Sequence, residues 1–117
     1  MNTWIEKLRT IDVDVDGAIE RFANKEERYI KYLKLFANNQ DFPCLIKAIE
    51  EENVDKAFEH CHSLKGVVGN MGFKKLYTGI FEACEILRVG SMDGVREIIY
   101  PLRDNYNKIL DIINEYL

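Results

Sequence analysis

Both histidines of the chain lie in the run His60-Cys61-His62. A His-Cys-His triplet invites zinc, which takes imidazole nitrogens and thiolate sulfurs in a tetrahedron. The surrounding periodicity places the run on a helix, where successive side chains advance by about 100°. His60 and His62 then point about 200° apart, too divergent to share one ion from a straight helix. No spacing in the chain requires Cys84 to join them, so no metal site is expected. His62 has a different neighbourhood of interest: Lys65 at i+3, Gly66 at i+4 and Gly69 at i+7. Glycine inside a helix costs about 1 kcal/mol relative to alanine, so Gly66, Gly69 and Gly72, three of the seven glycines, need a reason. Gly66 and Gly69 fall toward a flank of the helix and not in the middle of its apolar stripe. Clearance of the His62 face is therefore expected of them, in preference to close helix packing. His60 faces the opposite flank and is expected to be a solvated side chain.

The chemistry that suits this arrangement is phosphoryl transfer to an imidazole. A neutral imidazole is a nucleophile near neutral pH, and the phosphoramidate it forms can pass its phosphoryl group on. Lys65 would offset the phosphoryl charge. Gly66 would let a second protein reach His62. The chain has neither a Walker A loop nor a kinase-type Gly-rich loop, so it is expected to bind no ATP and to need no cofactor. It would be a phosphocarrier without an ATP site, not an enzyme, and the metal ion would come with the partner.

The elements that must hold these residues follow from apolar spacing. Trp4, Ile5 and Leu8 mark a short amphipathic segment. The alternation in Ile11-Asp12-Val13-Asp14-Val15-Asp16 reads as a strand, but no second strand exists to pair with it. Asp14 or Asp16 is instead expected to cap a short helix over 17–22. Asn24 and Glu27 resemble a capping box for a helix with Tyr29, Leu33, Phe36 and Ala37 on one face, running to about Asn39. Pro43 then marks either a break or a kink before Leu45, Ile46 and Ile49. Asn53 caps the next helix, whose stripe is Val54, Ala57, Phe58, Cys61, Leu64 and Val68, and Gly72 suits its left-handed C-terminal position. Phe73, Leu76, Ile80, Ala83, Cys84 and Leu87 give another helix, closing at 88–90. Ser91 is expected to cap the last one, which Pro101 should kink. The sum is an all-α domain: an antiparallel up-down-up-down four-helix bundle with short extra N-terminal helices.

Composition bounds what such a domain can do. The 117 residues fit a single domain with one core, at 47% hydrophobic and 31% charged. A net charge of −4 argues against nucleic acid, which calls for a basic patch. Three unpaired cysteines, Cys44, Cys61 and Cys84, point to free, mostly buried thiols in a reducing compartment. The N-terminal stretch lacks the basic and apolar regions of a signal peptide, and no apolar run of about 18 residues would span a membrane. A cytoplasmic monomer is expected, and the starting methionine favours a stand-alone protein.

His62-Ser63-Leu64-Lys65-Gly66, followed by Gly72, resembles the His-x-x-Lys-Gly signature of histidine-containing phosphotransfer (HPt) domains, the four-helix bundles of multistep phosphorelays. The resemblance extends over nearly the whole chain, since residues 11–22 look like the family's entry helix and 29–36 like its second. It implies that His62 accepts a phosphoryl group from a receiver-domain aspartate and donates it to another receiver. It also implies that Lys65 stabilises the phosphoryl group and that Gly66 gives the receiver access. Partners would be receiver domains of response regulators or a hybrid histidine kinase. The docking surface would include Gly69 and exposed apolar residues near His62, with Ile11, Val15 and Met71 as candidates. One departure stands out: many members carry a glutamine on the neighbouring helix, where this chain has Cys84 and Glu85. The alternative is a module that docks a receiver or histidine kinase without carrying phosphate; the presence of both His62 and Lys65 argues against it.

Overall fold

The computed structural model describes residues 3–117. Met1 and Asn2, which begin the stretch expected to lack a leader, lie outside them. The described chain is all-helical: α1 (Thr3–Arg9), α2 (Val15–Arg21), α3 (Glu26–Ala37), α4 (Asp41–Glu50), α5 (Val54–Asn70), α6 (Lys74–Arg88), α7 (Val95–Ile99) and α8 (Leu102–Tyr116). None of these helices is long and apolar enough to cross a membrane.

α5 is the longest helix and has neighbours on two sides, α4 on one and α6 on the other. Its N-terminus is set by Asn53, whose side chain accepts a bond from the Lys56 amide at 3.1 Å, one of the donors a helix start leaves open. Its stripe is inward as the spacing requires: Ala57, Cys61, Leu64 and Val68 are buried. They meet Leu76, Ile80, Ala83, Cys84 and Leu87 of α6 within one continuous core. Each large side chain buried this way contributes about 1.5–3 kcal/mol. That seam fixes the rotation of α5, and with it the direction of every residue on its flanks.

The ends of α5 and the N-terminal segment hold one another. Gly72 follows α5 at φ +79, and a Cβ there would collide with the carbonyl oxygen of Asp14. The Asp14 amide donates to the Gly72 carbonyl at 2.8 Å, and the Lys74 amide donates to that of Asp12 at 3.1 Å. Val13 and Phe73 thereby form an isolated antiparallel bridge. The alternating segment at 11–16 does have a pairing partner, then, though only for one bridge: the turn between α5 and α6. Asp14 goes on to cap α2 by accepting from the Gly17 amide at 3.1 Å. Arg21, at the end of α2, donates to the carbonyls of Gly69 at 3.1 Å and Asn70 at 3.3 Å. A cation is favoured at those C-terminal carbonyls.

Elsewhere the helix boundaries depart from expectation at Asn24 and Ser91, and the alternatives left open at Pro43 resolve in favour of a break. Asn24 adopts a left-handed φ of 58, which removes it from the capping role. Lys25 takes the cap position without a side-chain bond, and α3 begins at Glu26. Between α3 and α4 the chain breaks: the Asn39 side chain accepts from the Asp41 amide at 2.8 Å, and Pro43 sits in the first turn of α4, where its missing N–H costs little. Ser91 accepts from the Asp93 amide and so closes a turn, while left-handed Gly94 precedes α7. At Pro101 the backbone stays right-handed helical, φ −63 and ψ −20, yet the helix divides into α7 and α8, as loss of one donor predicts.

Candidate functional site

His62 is on the exposed side of α5, away from the seam. Its imidazole stacks on Phe58, one turn earlier, at 5.6 Å between ring centres and 23° between planes. Among the described residues neither ring nitrogen has a hydrogen-bond partner, so a lone pair is available to an incoming electrophile. One turn later Lys65 is half-buried, with Nζ 5.4 Å from the centre of the Phe81 ring. A Cβ added to Gly66 would find no atom within 4 Å. Gly66 thus leaves open space beside His62, the arrangement the spacing calls for.

Gly69 is different. A Cβ there would stand 3.2 Å from two atoms of the Tyr77 ring, so Gly69 is small because an aromatic side chain of α6 packs over it. The clearance expected of Gly69 is overturned in favour of close packing. The expected docking residues also change. Val15 is 1% exposed and Met71 2%, so neither is a surface residue. The bridge to Phe73 turns alternate residues of the 11–16 segment inward, and Met71 is tucked under Tyr29, whose hydroxyl donates to its carbonyl at 2.9 Å. Ile11 is half-buried against the core. The apolar surface near His62 belongs instead to α6: Tyr77 and Phe81 are 39% and 44% exposed, their rings 6.0 Å apart. A groove of about 470 Å³ runs past Lys65, Gly66, Gly69 and Tyr77 to Arg21 and Lys74.

Cys84 and Glu85, adjacent on α6, have different surroundings. Cys84 is fully buried. Glu85 is at the surface and accepts from Arg88 at 3.4 Å, and the Arg88 guanidinium carbon lies 5.6 Å from the centre of the Phe58 ring.

On the other flank, His60 is not freely solvated. Its Nδ1 stands 3.0 Å from Oδ1 of Asp41, and since an ionised carboxylate only accepts, Nδ1 carries the hydrogen. The Ser63 hydroxyl donates to the other oxygen of Asp41 at 3.0 Å. One carboxylate from the first turn of α4 thus spans the two residues that bracket 61–62. Between the histidines, Cys61 faces the core and its thiol points to the Ile80 carbonyl at 3.3 Å. Burial, reinforced by the neighbouring Cys84, pushes the Cys61 pKa up to about 12, so it stays a thiol near neutral pH and is a poor nucleophile. All three cysteines are free. Among the described residues no group of three or more His, Cys, Asp or Glu side chains could hold a metal ion.

Phe58 was legible as the i−4 neighbour of His62, although its apolar character assigned it to the buried stripe. Asp41, Phe81 and Arg88 reach the site from other helices, and nothing in local spacing announces them. No protein-family model matches the chain, and no curated protein or solved structure does either.

Proposed function

We propose that the protein is a phosphorelay carrier of the HPt type, with His62 as phosphoacceptor. One observation carries this reading: an exposed imidazole with both nitrogens unbonded, next to an open glycine face and one turn from a lysine. In this reading α3 with α4, α5, α6, and α7 with α8 are the four rods of an antiparallel up-down-up-down bundle, and α1 and α2 are the extra N-terminal helices. The protein works in the cytoplasm, as a monomer, on receiver domains of response regulators or of a hybrid kinase.

The phosphoryl donor is the acyl phosphate of a receiver aspartate. The lone pair of His62 attacks phosphorus in line, a P–N bond forms, the P–O bond to the aspartate breaks, and the carboxylate leaves. The hydrogen on the other ring nitrogen stays in place, and the reverse sequence delivers the phosphoryl group to the next receiver. Lys65 offsets charge on the transferring oxygens. The open side of Gly66 admits the receiver's own site, and the metal ion belongs to that receiver. The Phe58 ring limits rotation of the imidazole, so the attacking nitrogen is aimed outward before the partner arrives.

The test is to mix the protein with a phosphorylated receiver and look for acid-labile, base-stable label. Uptake should be lost in His62→Gln and kept in His60→Gln. Label that survives His62→Gln and disappears in His60→Gln would show the assignment to be wrong.

A further inference from the structure

A second recess lies at the turn between α2 and α3. It measures about 260 Å³ and is lined by Arg21, Phe22, Ala23, Arg28, Lys31 and Tyr32. Only Arg21 is shared with the groove that runs past Lys65 and Gly66. Left-handed backbone at Ala23 (φ 59) and Asn24 (φ 58) reverses the chain sharply, and the Phe22 ring stacks on that of Tyr32 at 5.0 Å and 25°. Arg28, Lys31 and Tyr32 fall at i, i+3 and i+4 of α3, so they share one face. Lys31 Nζ lies 6.0 Å from the centre of the Tyr32 ring, which puts charge beside the aromatic wall. No carboxylate is among the lining residues. None of the three cations forms an ion pair with a carboxylate among the described residues. On a chain of net charge −4, this is a local concentration of unneutralised positive charge.

The recess is also partly pre-organised. Arg21 donates from Nε and Nη2 to the carbonyls of Asn70 and Gly69, and its Nη1 hydrogens have no acceptor among the described residues. A guanidinium fixed along one edge loses little freedom when the other edge binds. The arginine fork matches phosphate oxygens in geometry as well as charge. A phosphate monoester brings close to two negative charges and three acceptor oxygens near neutral pH, enough to engage several cations at once. Tyr32 is 44% exposed, so part of the stack is open to a further planar ring. The volume falls just below the range of about 300–1,000 Å³ usual for drug-sized ligands, which suits a single ring bearing one phosphate. We propose that this pocket binds an aryl phosphate monoester as its dianion, with Arg21, Arg28 and Lys31 on the phosphate and Tyr32 against the ring. The site stands apart from His62 and does not rest on the carrier reading.

Phenyl phosphate is the probe, titrated at about pH 8, well above its second ionisation near pH 6, and followed by proton–nitrogen NMR of the backbone amides. Saturable shifts should centre on residues 21–32. Arg28→Gln and Lys31→Gln should each weaken binding about tenfold, the loss of one charge-assisted contact. Both side chains are exposed, so circular dichroism should not change; Arg21 is left intact because it also holds the end of α5. Tyr32→Ala should weaken phenyl phosphate about threefold and inorganic phosphate hardly at all. Lys34→Gln, one turn beyond Lys31 and outside the pocket, and His62→Gln should both bind as the native protein does. Shifts that never saturate, native affinity in Arg28→Gln and Lys31→Gln, or a loss in Lys34→Gln as large as in Lys31→Gln would overturn the site. Equal affinity for inorganic phosphate and phenyl phosphate would overturn its assignment to aryl phosphates.

Discussion

The two flanks of α5 carry a histidine each, two residues apart, and the helix makes them opposites. His60 turns toward α4 and is tied to Asp41 at 3.0 Å. His62 turns away, and its ring stacks on Phe58. The first ring has its orientation and one nitrogen spent on a structural contact. The second has its orientation fixed by stacking, which uses neither nitrogen. An imidazole serves as a nucleophile only with a free lone pair and room for the electrophile. The difference between the flanks is therefore a difference in what the ring nitrogens are doing, not in the kind of side chain present.

The strongest way to break this comparison is to exchange the two flanks' fates by mutation. His62→Gln should reduce phosphoryl label to background, while the thermal midpoint stays near that of the native protein, because an exposed ring is lost. His60→Gln should do the reverse: label is retained, and denaturant unfolding shows a loss of about 1 kcal/mol as Asp41 loses a partner. The next largest effect tests the turn that sets the end of α5. Gly72→Val places a β-branched side chain at φ +79 against the Asp14 carbonyl. It should cost about 3 kcal/mol, measured by urea unfolding, with the damage passing to α2 through its cap.

These contrasts mark which parts of the site local spacing could reveal. The seam of α5 was readable because Ala57, Cys61, Leu64 and Val68 recur with the helical period, and that alone separates His60 from His62. The open side at Gly66 followed from the same geometry. Gly69 was misjudged because its reason for being small is Tyr77, eight residues on and across a turn. Val15 and Met71 were misjudged because their burial depends on a strap between the 12–14 segment and the α5–α6 turn, a long-range pairing with only one bridge. Asn24 resembled a cap by residue type, but its left-handed backbone denied it the role. Asp41 and Arg88 come from helices whose register against α5 is set by the core, so no pattern within α4 or α6 could have named them.

Asp41 allows the quieter flank to be tested by itself. It holds both His60 and Ser63, and Ser63 directly follows His62. Asp41→Ala should destabilise the protein by about 1 kcal/mol, since both contacts are partly exposed. If the clamp also steadies the turn that presents His62, label uptake should slow modestly at saturating donor. An unchanged rate with lowered stability would confine Asp41 to its own flank and make the separation between the two histidines sharper.

The smallest expected effect separates space from chemistry at Gly66. A Cβ there meets nothing within 4 Å, and the position is interior to α5, so Gly66→Ala should gain about 0.5–1 kcal/mol from helix propensity, visible as a raised unfolding midpoint. In the proposed carrier role, the same open volume that makes alanine harmless to the fold is the volume a receiver would enter. Gly66→Leu should therefore also fold, yet transfer from a receiver should slow while uptake from a small donor such as phosphoramidate continues. Steric obstruction acts on a protein partner and not on a small molecule, so the ratio of the two rates measures access directly. Equal slowing with both donors would mean that Gly66 acts on the imidazole itself, and native rates with both would remove access as the reason a helix carries glycine there.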